Sequence, residues 1–190
     1  MAKVLLYNIK DDYDIEKFNE LANSKDIGII RVEKDEIDQH VGYLLGLEGY
    51  ERRNHKLEED PSLDFPFILF AGFERDQLFE FLDLMRENNL TIQHKAGETH
   101  NNINWTLREL LIENDREGKM MGLIHRINGM LAHADRLQKE HGEDEHLLNL
   151  MDEIQNYFSD SNIFELEIAQ KYHGKLAEEI FRYEDDKGIA

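Results

Sequence analysis

Val4-Leu5-Leu6-Tyr7 returns as Phe67-Ile68-Leu69-Phe70 at an offset of 63 residues, and the reading of this pair decides the fold. Each is a short, wholly apolar run between polar residues, the pattern of a strand buried on both faces of a sheet. Outward from the pair the correspondence continues through Ile15/Leu78, Phe18/Phe81, Leu21/Leu84, Ala22/Met85, Ile27/Leu90 and Ile29/Ile92. It then steps to an offset of 66, where Ile37, Val41, Leu44 and Leu45 match Ile103, Leu107, Leu110 and Leu111 at the same i, i+4, i+7, i+8 spacing. A three-residue insertion near Gly97 accounts for the step. The pattern predicts an α/β domain of two tandem βαβα repeats, residues 1–50 and 65–117, followed by a helical extension over 118–190.

In the first repeat, strands are expected over Lys3–Ile9 and Ile27–Val32. Asp14 caps a helix that runs to Ser24, and a second helix spans Glu36–Leu47. Glu51 to Asp64 is the linker, closed by Pro61 and Pro66. The second repeat is expected as strand Phe67–Gly72, helix Arg75–Asn88, strand Leu90–Lys95 and helix His100–Arg116, with Thr99 as N-cap and Trp105 as a packing anchor. The wholly apolar first and third strands belong in the centre. The second and fourth lie at the edges, because Thr91 to Lys95 alternates with polar residues. The strand order is therefore 2-1-3-4, with each βαβ pair parallel and right-handed and the relative direction of the halves open.

Beyond Gly118 three apolar stripes at helical spacing follow: Met120, Ile124, Ile127, Leu131 and Ala134; Leu147, Leu150, Met151, Ile154 and Phe158; Leu166, Ala169, Leu176, Ala177 and Ile180. Turns fall near Gly142 and Ser159–Ser161, and Ser161 or Asn162 caps the last helix. The stripes are expected to pack on the α/β part or across a homodimer, with His173, Leu176, Ile180 and Tyr183 at the seam, so the chain is a monomer or a homodimer through the tail.

Composition narrows the function classes. A net charge of −19, from 41 acidic and 22 basic residues, repels a phosphate backbone, so nucleic acid is not an expected partner. The excess is spread over the chain, with 14 basic and 25 acidic residues before Glu117 and 8 and 16 from it onward. There is no Cys, which removes disulfides and thiolate sites together. No apolar run has the length of a membrane span and the N-terminus is not a signal peptide, so the expected location is cytoplasmic.

Val41-Gly42-Tyr43-Leu44-Leu45-Gly46-Leu47-Glu48-Gly49-Tyr50, together with Ala71-Gly72-Phe73, Lys95-Ala96, Thr99, Asn102 and Trp105, carries a family signature. Over about residues 3–117 the chain resembles the bacterial family described as domain of unknown function number 3783. Its members pair a glycine-rich leucine segment with a lysine-alanine, threonine, asparagine and tryptophan pattern. The resemblance implies a domain boundary near Glu117 and a cytoplasmic location, and it implies no substrate.

Lys95 is expected at the carboxyl end of an edge strand and Thr99 at the start of the next helix, where α/β folds offer amides and a positive helix end to anions. Asn102 follows a turn later, and His94 and His100 flank the segment as candidate acid or base groups. The bland alternative makes Thr99 only a helix cap and Lys95 only a solvated edge residue. Gly42 is expected to admit another backbone, and Gly46 or Gly49 to end its helix. These glycines follow a helix rather than a strand, which argues against a dinucleotide cofactor, and no cofactor is expected. Glu143 and His146 have E-x-x-H spacing, with His125 and His133 on a neighbouring stretch, but no second E-x-x-H accompanies them and no metal is expected. The leading reading is a non-enzymatic cytoplasmic binding or regulatory module whose partner is a protein or small anion. The alternative is a small-anion or phosphometabolite binding protein or enzyme with its site at Lys95, Thr99 and Asn102.

Overall fold

A computed structural model describes residues 1–54, 61–159 and 165–189. The chain divides into two compact units, Met1–Arg116 and Glu117–Ala190. In the first, β1 (Lys3–Tyr7), α1 (Ile15–Ser24), β2 (Gly28–Val32) and α2 (Val41–Leu44) precede β3 (Phe67–Ala71), α3 (Arg75–Glu87), β4 (His94–Gly97) and the start of α4 (Leu107–His141). The sheet order is β2-β1-β3-β4. β1/β2 and β3/β4 are parallel, whereas β1 and β3 run antiparallel, with Leu5 opposite Leu69. Successive side chains along a strand face opposite ways. Leu5, Tyr7, Phe67 and Leu69 accordingly join Val41, Leu45, Leu107 and Leu111 in one core. Val4, Leu6, Ile68 and Phe70 pack on the other face against Phe18, Ala22, Phe81 and Met85 of α1 and α3.

α1 forms as expected, with Asp14 Oδ1 accepting from the Lys17 amide at 3.0 Å. The helix expected over Glu36–Leu47 is instead a 3₁₀ turn at Lys34–Glu36, an extended stretch and the short α2. The extended stretch is held from outside. The carbonyls of Ile37 and Gln39 accept from the amides of Arg108 and Leu107, and the Val41 amide donates to Trp105. Buried Gln39 also pairs its side-chain amide with both backbone groups of Arg53, at 2.9 and 2.7 Å. Carbonyls spent this way are lost to an i+4 helical ladder, so the apolar periodicity of 37–45 marks a core strap rather than a helix.

The helix expected from His100 begins later and does not stop at Arg116. Asn102–Asn104 is a 3₁₀ turn, and α4 starts at Leu107 and runs to His141. Thr106 caps it: its hydroxyl accepts the Glu109 amide at 3.2 Å, while Glu109 Oε2 accepts the Thr106 amide at 2.7 Å. Thr99 and Asn102 form a similar reciprocal pair at the entry to the 3₁₀ turn, whose own N-cap residue is Asn101. Trp105 lies between Asn102 and Thr106 and is 36 % exposed, so it is not the buried anchor expected of it.

The last strand is His94–Gly97 rather than Leu90–Lys95. Leu90 and Ile92 are buried, but they fill the core before the strand starts. Because Val4 pairs with Ile29 and Phe67 with His94, the offset between halves widens to 65 before β4, earlier than the Gly97 position read from the sequence. Gly42 accommodates a ring rather than a backbone: a Cβ there would lie 2.6 Å from Tyr50. Gly46 does end α2, with φ +70° and the Leu47 amide donating to the Gly42 carbonyl. Leu63, at the end of the linker, is buried in the core.

In the second unit α4 continues and is followed by α5 (Glu145–Ser159) and α6 (Leu166–Lys187). Their stripes bury one another: Leu123, Ile127, Leu131, Leu147, Ile154 and Ala169 form one core. Leu176, Ile180 and Tyr183, expected at a seam with another domain or copy, are buried inside this core, and His173 is half-buried beside it. The Ser161 and Asn162 cap positions lie outside the described residues; Glu165 occupies the N-cap without a side-chain hydrogen bond. No described helix is long and apolar enough to cross a membrane.

Candidate functional site

The residues singled out around Lys95 do not converge. Lys95 is the second residue of β4, opposite Ile68, and not at the strand's carboxyl end. The strand's twofold alternation sends His94 to the face shared with Ala96 and Lys95 to the other. The Lys95 ammonium turns back onto the carbonyls of Ile92 and Gln93, at 3.2 and 3.3 Å. His94 stacks on Phe65 with ring centroids 4.2 Å apart and has Nδ1 3.3 Å from Asn114 Oδ1. Thr99 and Asn102 do meet, but they satisfy each other. The Asn102 amide donates to Thr99 Oγ1 at 3.1 Å, Asn102 Oδ1 accepts the Thr99 amide at 2.8 Å, and Asn102 Nδ2 donates to Gly97 at 2.9 Å. His100 is exposed, with its carbonyl accepting from Asn104. Among the described residues no three His, Asp or Glu side chains are grouped to hold a metal ion.

A ligand-sized opening lies elsewhere in the same unit, beyond the carboxyl ends of the parallel strands β1 and β2. It is a crevice of about 690 Å³ walled by Leu6, Ile9, Tyr13, Ile15 and Val32. Asn8, Lys10, Arg31 and Lys34 supply donors, and Asp11, Glu33 and Asp35 supply carboxylates. Parallel pairing brings both strand ends to one side, so the loops after Tyr7 and Val32 meet there. Asn8 turns the chain at φ 50°, a left-handed conformation that asparagine tolerates better than most residues. Glu33 and Glu36 close a reciprocal capping box around Lys34. The Tyr13 hydroxyl donates to Leu90 at 2.8 Å, and burial raises its pKa above the ordinary tyrosine value, so the phenol stays neutral.

At the edge of this crevice three donors meet on one atom. Asp64 Oδ1 accepts from Lys34 Nζ at 2.8 Å, Asn8 Nδ2 at 3.0 Å and Lys10 Nζ at 3.1 Å. These bonds, Lys34 first, then Lys10 and Asn8, hold the Asp64 carboxyl well below the usual carboxylate range. The signal was present in the sequence: Lys10 and Lys34 each follow a strand of one parallel βαβ unit.

Residues 66–121 match the family described as domain of unknown function (DUF3783). This stretch carries Gly72, Lys95, Thr99, Asn102 and Trp105 of the signature, while the glycine-rich segment 41–50 and the whole crevice lie outside it. No curated protein and no solved structure matches the chain.

Proposed function

We propose that the α/β unit is a non-catalytic ligand-binding module whose site is the crevice beyond β1 and β2, and that its ligand is a small organic anion. The convergence of Lys10, Lys34 and Asn8 on one carboxylate oxygen carries the reading, because it displays the bonding a carboxylate or phosphate head would need. The apolar walls suit a carbon skeleton, and the volume is in the range of small-molecule sites. Asp11, Glu33 and Asp35 offset Lys10, Arg31 and Lys34. A polyphosphate would meet these carboxylates, so the ligand has a single anionic head. A thermal-shift screen of small carboxylates and monophosphates tests the reading, since a ligand of the folded state raises Tm. A rise in the natural protein that disappears in a Lys10→Ala/Lys34→Ala double variant is expected. No shift with any compound, or a shift the double variant keeps, overturns it.

A further inference from the structure

We infer that Asp64 is a tethered competitor for the anionic head of the crevice ligand, so that binding requires its carboxylate to leave Lys10, Lys34 and Asn8. The inference rests on the ligand-binding reading above. Asp64 belongs to neither strand of the crevice. It lies between buried Leu63 and the start of β3, yet its Oδ1 takes donors from the loops that follow both β1 and β2. All three contacts fall on one oxygen atom, the arrangement by which a single ligand oxygen would be held.

The contact is also easily given up. The side chains of Lys10, Lys34 and Asp64 are 43 %, 65 % and 49 % exposed, and ion pairs this open to water add little to stability. Tethering nevertheless gives the Asp64 carboxylate a high effective concentration at the site. A free anion that offers only charge competes poorly with it. One that also fills the apolar space beside Leu6, Ile9 and Tyr13 gains contacts that Asp64 does not make. Asp64 thereby raises the threshold for every ligand by the same factor, and one that joins an anionic head to an apolar body passes it more readily than inorganic phosphate.

The experiment titrates inorganic phosphate and benzoate into the full chain and into Asp64→Asn and Asp64→Ala variants, following the Asn8 side-chain amide by NMR. If the carboxylate occupies the site about nine-tenths of the time, removing it tightens binding of either probe about tenfold. Benzoate should exceed phosphate in every protein. Binding no tighter in both variants than in the natural chain, including no binding in any of the three, overturns the competitor role. Loss of stability without gain of affinity assigns Asp64 a structural tether only and overturns it as well. The two readings fail separately: a ligand found by the screen whose affinity is unchanged in both variants removes the competitor and leaves the binding module, whereas no ligand in any protein removes both.

Discussion

The halves β1-α1-β2 and β3-α3-β4 are built alike up to the exit of their helices and differ where their strands end. Asp26 and Asn89 leave α1 and α3 with φ 53° and 59°, and the next amides, Ile27 and Leu90, donate back to Ala22 and Met85. Beyond β1, however, residues 8–14 form a long loop before α1, whereas residues 72–74 alone separate β3 from α3. The long loop leaves room for the crevice. In the second half Glu98 fills the corresponding end: its amide donates to Phe70 at 2.8 Å, and its carboxylate accepts the Gly72 amide at 2.9 Å. The two βαβ units thus differ at their strand ends through a few loop residues, and the end that holds the crevice is where function is proposed.

If the shared framework is one cooperative core, its two central rings should matter equally. Phe18 and Phe81 are both buried and meet edge to face at 6.1 Å. Phe18→Ala and Phe81→Ala should each cost about 3–5 kcal/mol by transfer loss and cavity formation. The double variant should lose less than the sum, because the rings share a contact. Urea denaturation measures all three, and additive losses would break the picture of a single core.

Strand ends sharpen the comparison next. Gly72 and Asn8 both have positive φ just past a central strand. A Cβ at Gly72 would lie 3.0 Å from the Met1 carbonyl oxygen and would also be strained by φ +66°. Gly72→Ala should cost at least about 1 kcal/mol, whereas Asn8→Gly relaxes the backbone and removes a donor to Asp64, leaving stability nearly unchanged. Equal losses in denaturant midpoint would show that the two ends are not distinguished by backbone demand. Thr106→Ala, which removes the cap of α4, should cost about 1 kcal/mol in the same assay. Thr99→Ala should cost less, because its 3₁₀ turn also keeps the Asn102 bond to Gly97.

The positions of β1 and β3 and the sheet order were legible because apolar runs such as those around Leu5 and Leu69 report burial on both faces, whatever lies between them. The helix expected over Glu36–Leu47 failed for a different reason. Ile37, Val41 and Leu45 keep a helical spacing, but it is the hydrogen bonds of Ile37 and Gln39 to residues over 60 positions away that decide their backbone, and local periodicity carries no record of them. The Thr106-Leu107-Arg108-Glu109 capping box has the sequence signature of a helix start, and Thr99 with Asn102 offers a similar reciprocal pair seven residues earlier. The place of Lys95 was misjudged through register: β4 ends at Gly97 and not at Lys95, so Lys95 lies inside the strand and Thr99 precedes a short 3₁₀ turn. The Asp64 cluster joins three segments far apart in the chain, and only the parallel pairing of β1 with β2 brings Lys10 and Lys34 to it.

The smallest effect expected at neutral pH separates the halves by titration. Tyr13 lies on the crevice wall of the first half, and the corresponding offset of 63 places Asp76 in the second, so only the first half has a half-buried phenol at this level. Burial first, and the neighbouring Asp14 charge second, raise the Tyr13 pKa above the value in an unfolded chain. A group with a raised folded pKa stabilises fully below its unfolded pKa and loses that contribution as pH rises towards the folded one. The contribution is therefore complete at pH 7 and declines above about pH 10, the ordinary tyrosine value. Tyr13→Phe removes the titration together with the bond to Leu90. Its stability deficit at pH 8 should shrink or reverse between pH 10 and 11, as read by Tm across that range. A deficit that stays constant would mean the phenol at the crevice wall is no more protected than an exposed one, and the wall would then be too open to hold an apolar ligand body.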